Sequence, residues 1–280
     1  MCVTCGCEST AQHGHGPEHH HDHDHDHPHE HDIPGARGFG VLRAATTRTV
    51  SVEQDLLAKN NRYAAENRGR FAAEGVLALN LVSSPGSGKT TLLVRTLEAL
   101  RGRRPVAVIE GDQQTRLDAD RIAATGAPVV QLNTGKGCHL DAHQVGHALG
   151  ELAAPTGGVL FIENVGNLVC PAAFDLGEAH KVVFLSVTEG DDKPLKYPDM
   201  FRAAALCLVT KSDLLPYVPF DAERAIANAR SVNPALECLV LSVTSGAGLD
   251  AWLAWLEREI AARAPAGAKR AADLGQGLHA

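Results

Sequence analysis

One segment constrains this chain more than any other: Ser83-Ser84-Pro85-Gly86-Ser87-Gly88-Lys89-Thr90, followed by Thr91. An apolar run at residues 76–82 precedes it, and residues 91–101 carry leucines at helical spacing. A glycine-bearing loop between a strand and a helix turns its backbone N–H groups inward and adds the positive end of the helix. That is a cradle for phosphate. Pro85, Gly86, Ser87, Gly88, Lys89, Thr90 and Thr91 are the candidate nucleotide-binding residues. Lys89 is expected to reach the β- and γ-phosphates, and the Thr90 hydroxyl to ligate Mg2+. Ser83 stands where the usual pattern has its first glycine.

The rest of the 280 residues agrees with that loop. Strand-like runs at residues 106–110, 128–132, 159–163, 181–187, 206–210 and 238–242 alternate with helix-patterned stretches at 118–124, 140–152, 222–231 and 249–262. The alternation predicts an α/β P-loop NTPase fold, a mostly parallel sheet flanked by helices. Residues 1–32 read as a disordered Cys/His-rich metal-binding tail, and 33–74 as a linker. The linker starts with a loop at Pro34, Gly35 and Gly38 and continues as a helix over 51–71. Residues 75–263 read as the nucleotide-binding domain, and 264–280 as a C-terminal tail.

Charge narrows the function classes. Residues 1–32 hold seven of the 33 acids and no Lys or Arg, which leaves 26 acids against 26 bases elsewhere. A neutral body argues against a nucleic-acid groove and against a polybasic membrane anchor. No run of 18 apolar residues predicts a membrane helix, and the N-terminus lacks the apolar core of a secretory signal. Seven cysteines, an odd number, point to thiols in a reducing cytoplasm rather than a disulfide scaffold.

The base and the metals are read elsewhere. Val209-Thr210-Lys211-Ser212-Asp213 follows a buried strand and resembles the guanine-reading Asn-Lys-x-Asp element, with Thr210 in place of Asn. The Asp213 carboxylate can accept both guanine N–H donors, and Lys211 can lie along the purine ring. Ser242, in Ser242-Val243-Thr244-Ser245-Gly246, is placed to support the base. Asp112 and Glu163, at strand ends, are candidates for the Mg2+ shell and catalysis beside Lys89 and Thr90; Asp118 and Asp120 compete with them. Cys2, Cys5 and Cys7 put three thiols within six residues, a set that suits Ni2+ or Zn2+. Ten of the fifteen histidines fall between His13 and His31 and are expected to bind several divalent ions weakly. Cys138, His139 and Cys170 are expected at the sheet edge that carries the phosphates, as a second metal site. Cys207 and Cys238 read as strand residues. His143 and His147, four apart on one helix, read as a solvated or core face.

Taken in order, these residues resemble the HypB family of hydrogenase nickel-incorporation GTPases. The resemblance rests on Cys2-x-x-Cys5-Gly6-Cys7, the histidine run, residues 83–91, Glu110-Gly111-Asp112-Gln113-Gln114, and residues 133–139, 163–170, 189–198 and 211–217. It spans nearly the whole chain, and Ser83 is usual for that family. It implies a SIMIBI-like GTPase that hydrolyses GTP slowly and dimerises on binding GTP or metal. It also implies nickel delivery to the [NiFe]-hydrogenase large-subunit precursor with a HypA-type nickel/zinc partner. Cys2, Cys5 and Cys7 correspond to a tight nickel site, and Cys138, His139 and Cys170 to a weaker nickel or zinc site. The histidine run corresponds to the nickel-storing version of the family. A lysine of residues 191–196, Lys193 or Lys196, is a candidate to act across the dimer. The rivals are a urease-type or zinc-delivering GTPase of the same fold, and a nickel-storage protein whose GTPase is vestigial.

Overall fold

The computed structural model describes residues 37–113 and 115–263, with side chains from residue 54 onward. The chain divides into two units, residues 1–56 and 57–280. Helix α1 (Arg37–Glu74) begins in the first and ends in the second. It starts well before the helix expected at 51–71, and Gly38, expected in a loop, lies inside it. No proline interrupts residues 37–74, and an interior glycine costs a helix only about 1 kcal/mol. The tail expected at residues 1–32 and the one at 264–280 lie outside the described residues.

The second unit alternates strand and helix. In chain order it runs β1 (Leu77–Ser83), α2 (Lys89–Leu100), β2 (Val106–Asp112), α3 (Leu117–Ala123), β3 (Val129–Asn133), α4 (Ala142–Glu151) and β4 (Val159–Gly166). It continues α5 (Cys170–Ala173), β5 (His180–Ser186), α6 (Lys193–Lys196), α7 (Pro198–Ala203), β6 (Ala204–Thr210), a 3-10 helix (Ser212–Tyr217), α8 (Ala222–Val232), β7 (Glu237–Val240) and α9 (Leu249–Arg263). The seven strands form one sheet in the order β3-β2-β4-β1-β5-β6-β7. Every neighbouring pair is parallel.

A parallel sheet buries both faces, so its strands read as unbroken apolar runs. In β1 every residue is buried, and the pleat sends alternate side chains to opposite layers. Leu77, Leu79 and Leu81 pack with Leu92, Leu93 and Leu97 of α2 and Trp252, Trp255 and Leu256 of α9. Ala78 faces Phe71 of α1 and Val145 and Leu149 of α4. Each fully buried leucine contributes about 1.5–3 kcal/mol. The end of α1 is fixed by two asparagines as well as by Phe71. The amide of Asn67 donates to the carbonyls of Ala142 (2.8 Å) and Leu176 (3.0 Å). Asn60 accepts from the Ala142 N–H at 2.9 Å and donates to the Asp175 carbonyl at 2.7 Å.

Three local readings change. Strand β4 continues past Glu163 to Gly166, and Cys170, expected in a loop, opens the short helix α5 with Pro171 at its next position. Proline suits a helix start because its missing N–H has no partner to lose there. Strand β7 stops at Val240, two residues before the expected Ser242, whose backbone closes a turn with Gly246 and Ala247 instead. The short helices α6 and α7 and the 3-10 helix are additional; their apolar periodicity is too brief to register in sequence. Because β1, β2 and β4 are parallel and adjacent, their C-terminal ends open on one edge, where ligands of α/β sheets gather.

Candidate nucleotide and metal site

The phosphate loop joins β1 to α2 in the expected way. Gly86 and Gly88 have φ of 72° and 91°, a left-handed conformation that glycine adopts without strain. The Lys89 ammonium donates to the Asn164 carbonyl at 2.6 Å and lies 3.6 Å from Glu163 Oε1. Thr90 Oγ1 donates to the same Glu163 oxygen at 2.6 Å. Lys89, Thr90 and Glu163 therefore meet at one point, while Asp112 lies at the end of the neighbouring strand. Asp112 accepts from the backbone N–H groups of Gln113 (2.6 Å) and Thr115 (3.0 Å) and from the Thr115 hydroxyl. Of the competing acids, Asp118 lines the same cleft and pairs with Arg121 at 3.1 Å, whereas Asp120 is exposed on α3. The cleft, about 630 Å³, is lined by the whole phosphate loop, Asp112, Glu163, Lys211 and Cys138.

Glu110 is a residue whose role sequence reading missed. It sits beside Glu163 on β2 and is only 2% exposed. Burial, then the neighbouring Glu163 and Asp112 charges, pushes its pKa up to about 8. Burial also raises Glu163, against the pull of Lys89 and Thr90. Glu110 Oε2, Glu163 Oε2 and Ser87 Oγ are buried without a hydrogen-bond partner. Unsatisfied buried oxygens are costly, and three in one cleft fit a site built for a cation and phosphates. The signal available in sequence was an acid two residues before Asp112, inside an apolar strand.

The expected base-reading residues also come together. Lys211 is a non-glycine residue at φ 59°, and its ammonium donates to the Gly86 carbonyl at 2.6 Å. The Thr210 hydroxyl donates to the Ser87 carbonyl at 2.7 Å. Thr210 therefore braces the phosphate loop from the strand that supplies Lys211. Ser242 Oγ donates to Asp213 and accepts from the Ser245 N–H at 3.1 Å. Lys193 is held by its own chain, donating to Ser84 Oγ at 2.7 Å and pairing with Glu189, while Lys196 pairs with Asp192 at 2.7 Å.

Cys138, His139 and Cys170 converge, their ligand atoms all within 4.8 Å of one another. The two sulfurs are 2.9 Å apart, and Cys138 Sγ is 3.6 Å from His139 Nδ1. The His139 ring lies 3.9 Å from that of Phe174, and burial lowers its pKa below the ordinary value, which keeps the imidazole neutral and its lone pair available. Several hydrogen bonds tie the loop to the nucleotide side, among them one from the Asn167 amide to the Cys138 carbonyl at 3.2 Å. Leu140 N–H donates to Asn164 Oδ1 at 3.1 Å, and the Gln113 amide donates to the Gly137 carbonyl at 3.2 Å. Cys207 is buried in β6 opposite the half-buried Cys238 in β7, as strand residues. Cys2, Cys5, Cys7 and the histidine run lie outside the described residues.

Residues 77–240 match the family described as the CobW/HypB/UreG nucleotide-binding domain. The hydrogenase maturation factor HypB of Azotobacter vinelandii is 68% identical over 213 residues, covering 76% of this chain and 70% of the relative. Two solved structures are similar to the chain. HypB from Archaeoglobus fulgidus is 38% identical with a TM-score of 0.69, over 72% of this chain and 99% of that one. HypB from Helicobacter pylori in complex with nickel is 37% identical with a TM-score of 0.68, over 72% of this chain and 95% of that one. On the phosphate loop, the sheet order and these identities together, the chain belongs to the HypB family of P-loop GTPases that act in hydrogenase maturation.

Proposed function

We propose that this chain is a nickel metallochaperone that couples GTP hydrolysis to the holding and release of Ni2+ at Cys138, His139 and Cys170. Its client is the [NiFe]-hydrogenase large-subunit precursor, reached with a HypA-type partner, and it works as a homodimer in the cytoplasm. The thiols Cys2, Cys5 and Cys7 bind nickel tightly, the histidine run stores it, and Zn2+ competes for the same sulfur and imidazole donors. A nickel complex of the Helicobacter pylori relative supports the choice of metal.

One observation carries the coupling. Asn164 touches both halves of the site: its carbonyl accepts from Lys89 at 2.6 Å, and its side-chain oxygen accepts from the N–H of Leu140, beside His139, at 3.1 Å. When Lys89 turns to the β- and γ-phosphates it leaves the Asn164 carbonyl, and the loop carrying Cys138 and His139 feels that change. Asp213 and Ser242 select guanine. Thr90 and Glu163, with Asp112, are the residues that would hold Mg2+, which when bound neutralises charge on the β- and γ-oxygens. Catalysis by the chain's own residues is positional and electrostatic, through Lys89 and the backbone N–H groups of the loop, and turnover is slow.

The test is Ni2+ titration of a variant lacking residues 1–32, with GDP and with a non-hydrolysable GTP analogue. Linkage of ordinary size separates the two affinities about 5–150-fold. Equal affinity in the two nucleotide states refutes the coupling.

A further inference from the structure

Helix α4 carries a second pair of metal-ligand side chains that the nucleotide and thiol sites do not use. His143 and His147 are one turn apart on its exposed face, and their Nε2 atoms lie 3.2 Å from each other. The rings meet edge to face, with centroids 4.5 Å apart. Two imidazole nitrogens at about 2.0–2.1 Å from one ion stand about 2.9 Å apart at a right angle and about 3.3 Å apart at the tetrahedral angle. The observed 3.2 Å falls between those limits, so both nitrogens can ligate one ion with little side-chain movement.

The platform under the pair is rigid. Asp141 and Gln144 form a reciprocal capping box at the start of α4, and Val145, Ala148 and Leu149 bury its opposite face. The ring of Tyr63, from α1, lies 4.7 Å from that of His143 and limits its rotation. Holding ligands in place before binding lowers the entropic cost of capturing the ion.

We infer that His143 and His147 form an outer divalent-cation site for Ni2+ or Zn2+, distinct from Cys138, His139 and Cys170. Two protein ligands leave the ion's other positions to water or to an incoming donor. Such a site exchanges its ion readily, unlike a closed structural site. In the chain it begins four residues beyond His139. The inference rests on the imidazole geometry and does not need GTP-coupled delivery to hold.

The test uses the full-length chain, because the tail's histidines compete for metal and a local readout is needed. Imidazoles are labelled with diethyl pyrocarbonate, and peptide mass spectrometry follows His143 and His147 as Ni2+ or Zn2+ is titrated until labelling no longer changes. At free metal about ten times the site's Kd, both histidines label about tenfold more slowly. That protection persists in C138S/C170S, and His143 loses it in H147Q, as His147 does in H143Q. Labelling rates that metal does not move overturn the inference. Protection of His143 that survives H147Q, or that vanishes in C138S/C170S, overturns it equally.

Discussion

At the scale of single residues, the site is governed by what burial does to charge. The Lys89 ammonium is aimed at the point where Thr90 and Glu163 meet. Lys89→Ala is expected to lower kcat for GTP by about 10²–10³-fold, the usual cost of one preorganised electrostatic donor. Steady-state phosphate release checks this, with circular dichroism to show that the fold is kept. Glu110 gives a pH signature. Its folded pKa of about 8 exceeds the ordinary 4.5, so between those values the folded state binds a proton that the unfolded chain has released. Its contribution to stability is therefore fully present below about pH 4.5 and is lost as pH rises through 8, on the order of 3–5 kcal/mol. Glu110→Gln removes that loss, so denaturant unfolding of the nucleotide-free variant varies less between pH 5 and 8 than wild type. Identical slopes contradict the assignment. The pattern Gly-x-Gly-Lys-Thr was enough to find Lys89 and Thr90. Glu110 was not, because only the parallel register of β2 and β4 sets it against Glu163.

At the scale of elements, β2 and the metal loop touch through a glycine. A Cβ on Gly111 would fall 2.8–2.9 Å from three carbons of the Leu140 side chain, which is fully buried. Gly111→Ala is expected to displace Leu140, cost about 1–3 kcal/mol by overpacking, and weaken Ni2+ binding at the neighbouring His139. The smaller side chain in Gly111→Ala/Leu140→Val makes room and restores part of both. Competition titration with a chromophoric chelator measures the binding, and thermal melts the stability. If the double variant binds no better than the single, the contact is not what holds the loop. Most strands and long helices were legible because their apolar runs and leucine spacings are long. Helix α5 was not, since four residues show no period, yet it is the element that fixes Cys170.

At the scale of the whole molecule, ligands bound at one edge of the sheet stabilise all of it, because the unfolded chain has no site for them. GDP at about 100 times its Kd is expected to add about 2.7 kcal/mol, raising Tm by about 2–4 °C for each kcal/mol in a domain of this size. Asp213→Ala is expected to abolish that shift for GDP, and calorimetry on both proteins decides it. A shift retained in the variant removes Asp213 from base recognition. The sequence by itself determined the phosphate loop, the α/β class and the family resemblance. Those depend on contiguous residues and on spacings of two or three to four, which the chain carries without folding. It also named both halves of the metal and nucleotide site. Only the tertiary structure decided two further links in it: the register that pairs Glu110 with Glu163, and the Asn164 bridge from Lys89 to Leu140. Each joins segments brought together by the order β3-β2-β4-β1, and that order comes from crossover connections between parallel strands, not from any local stretch of residues.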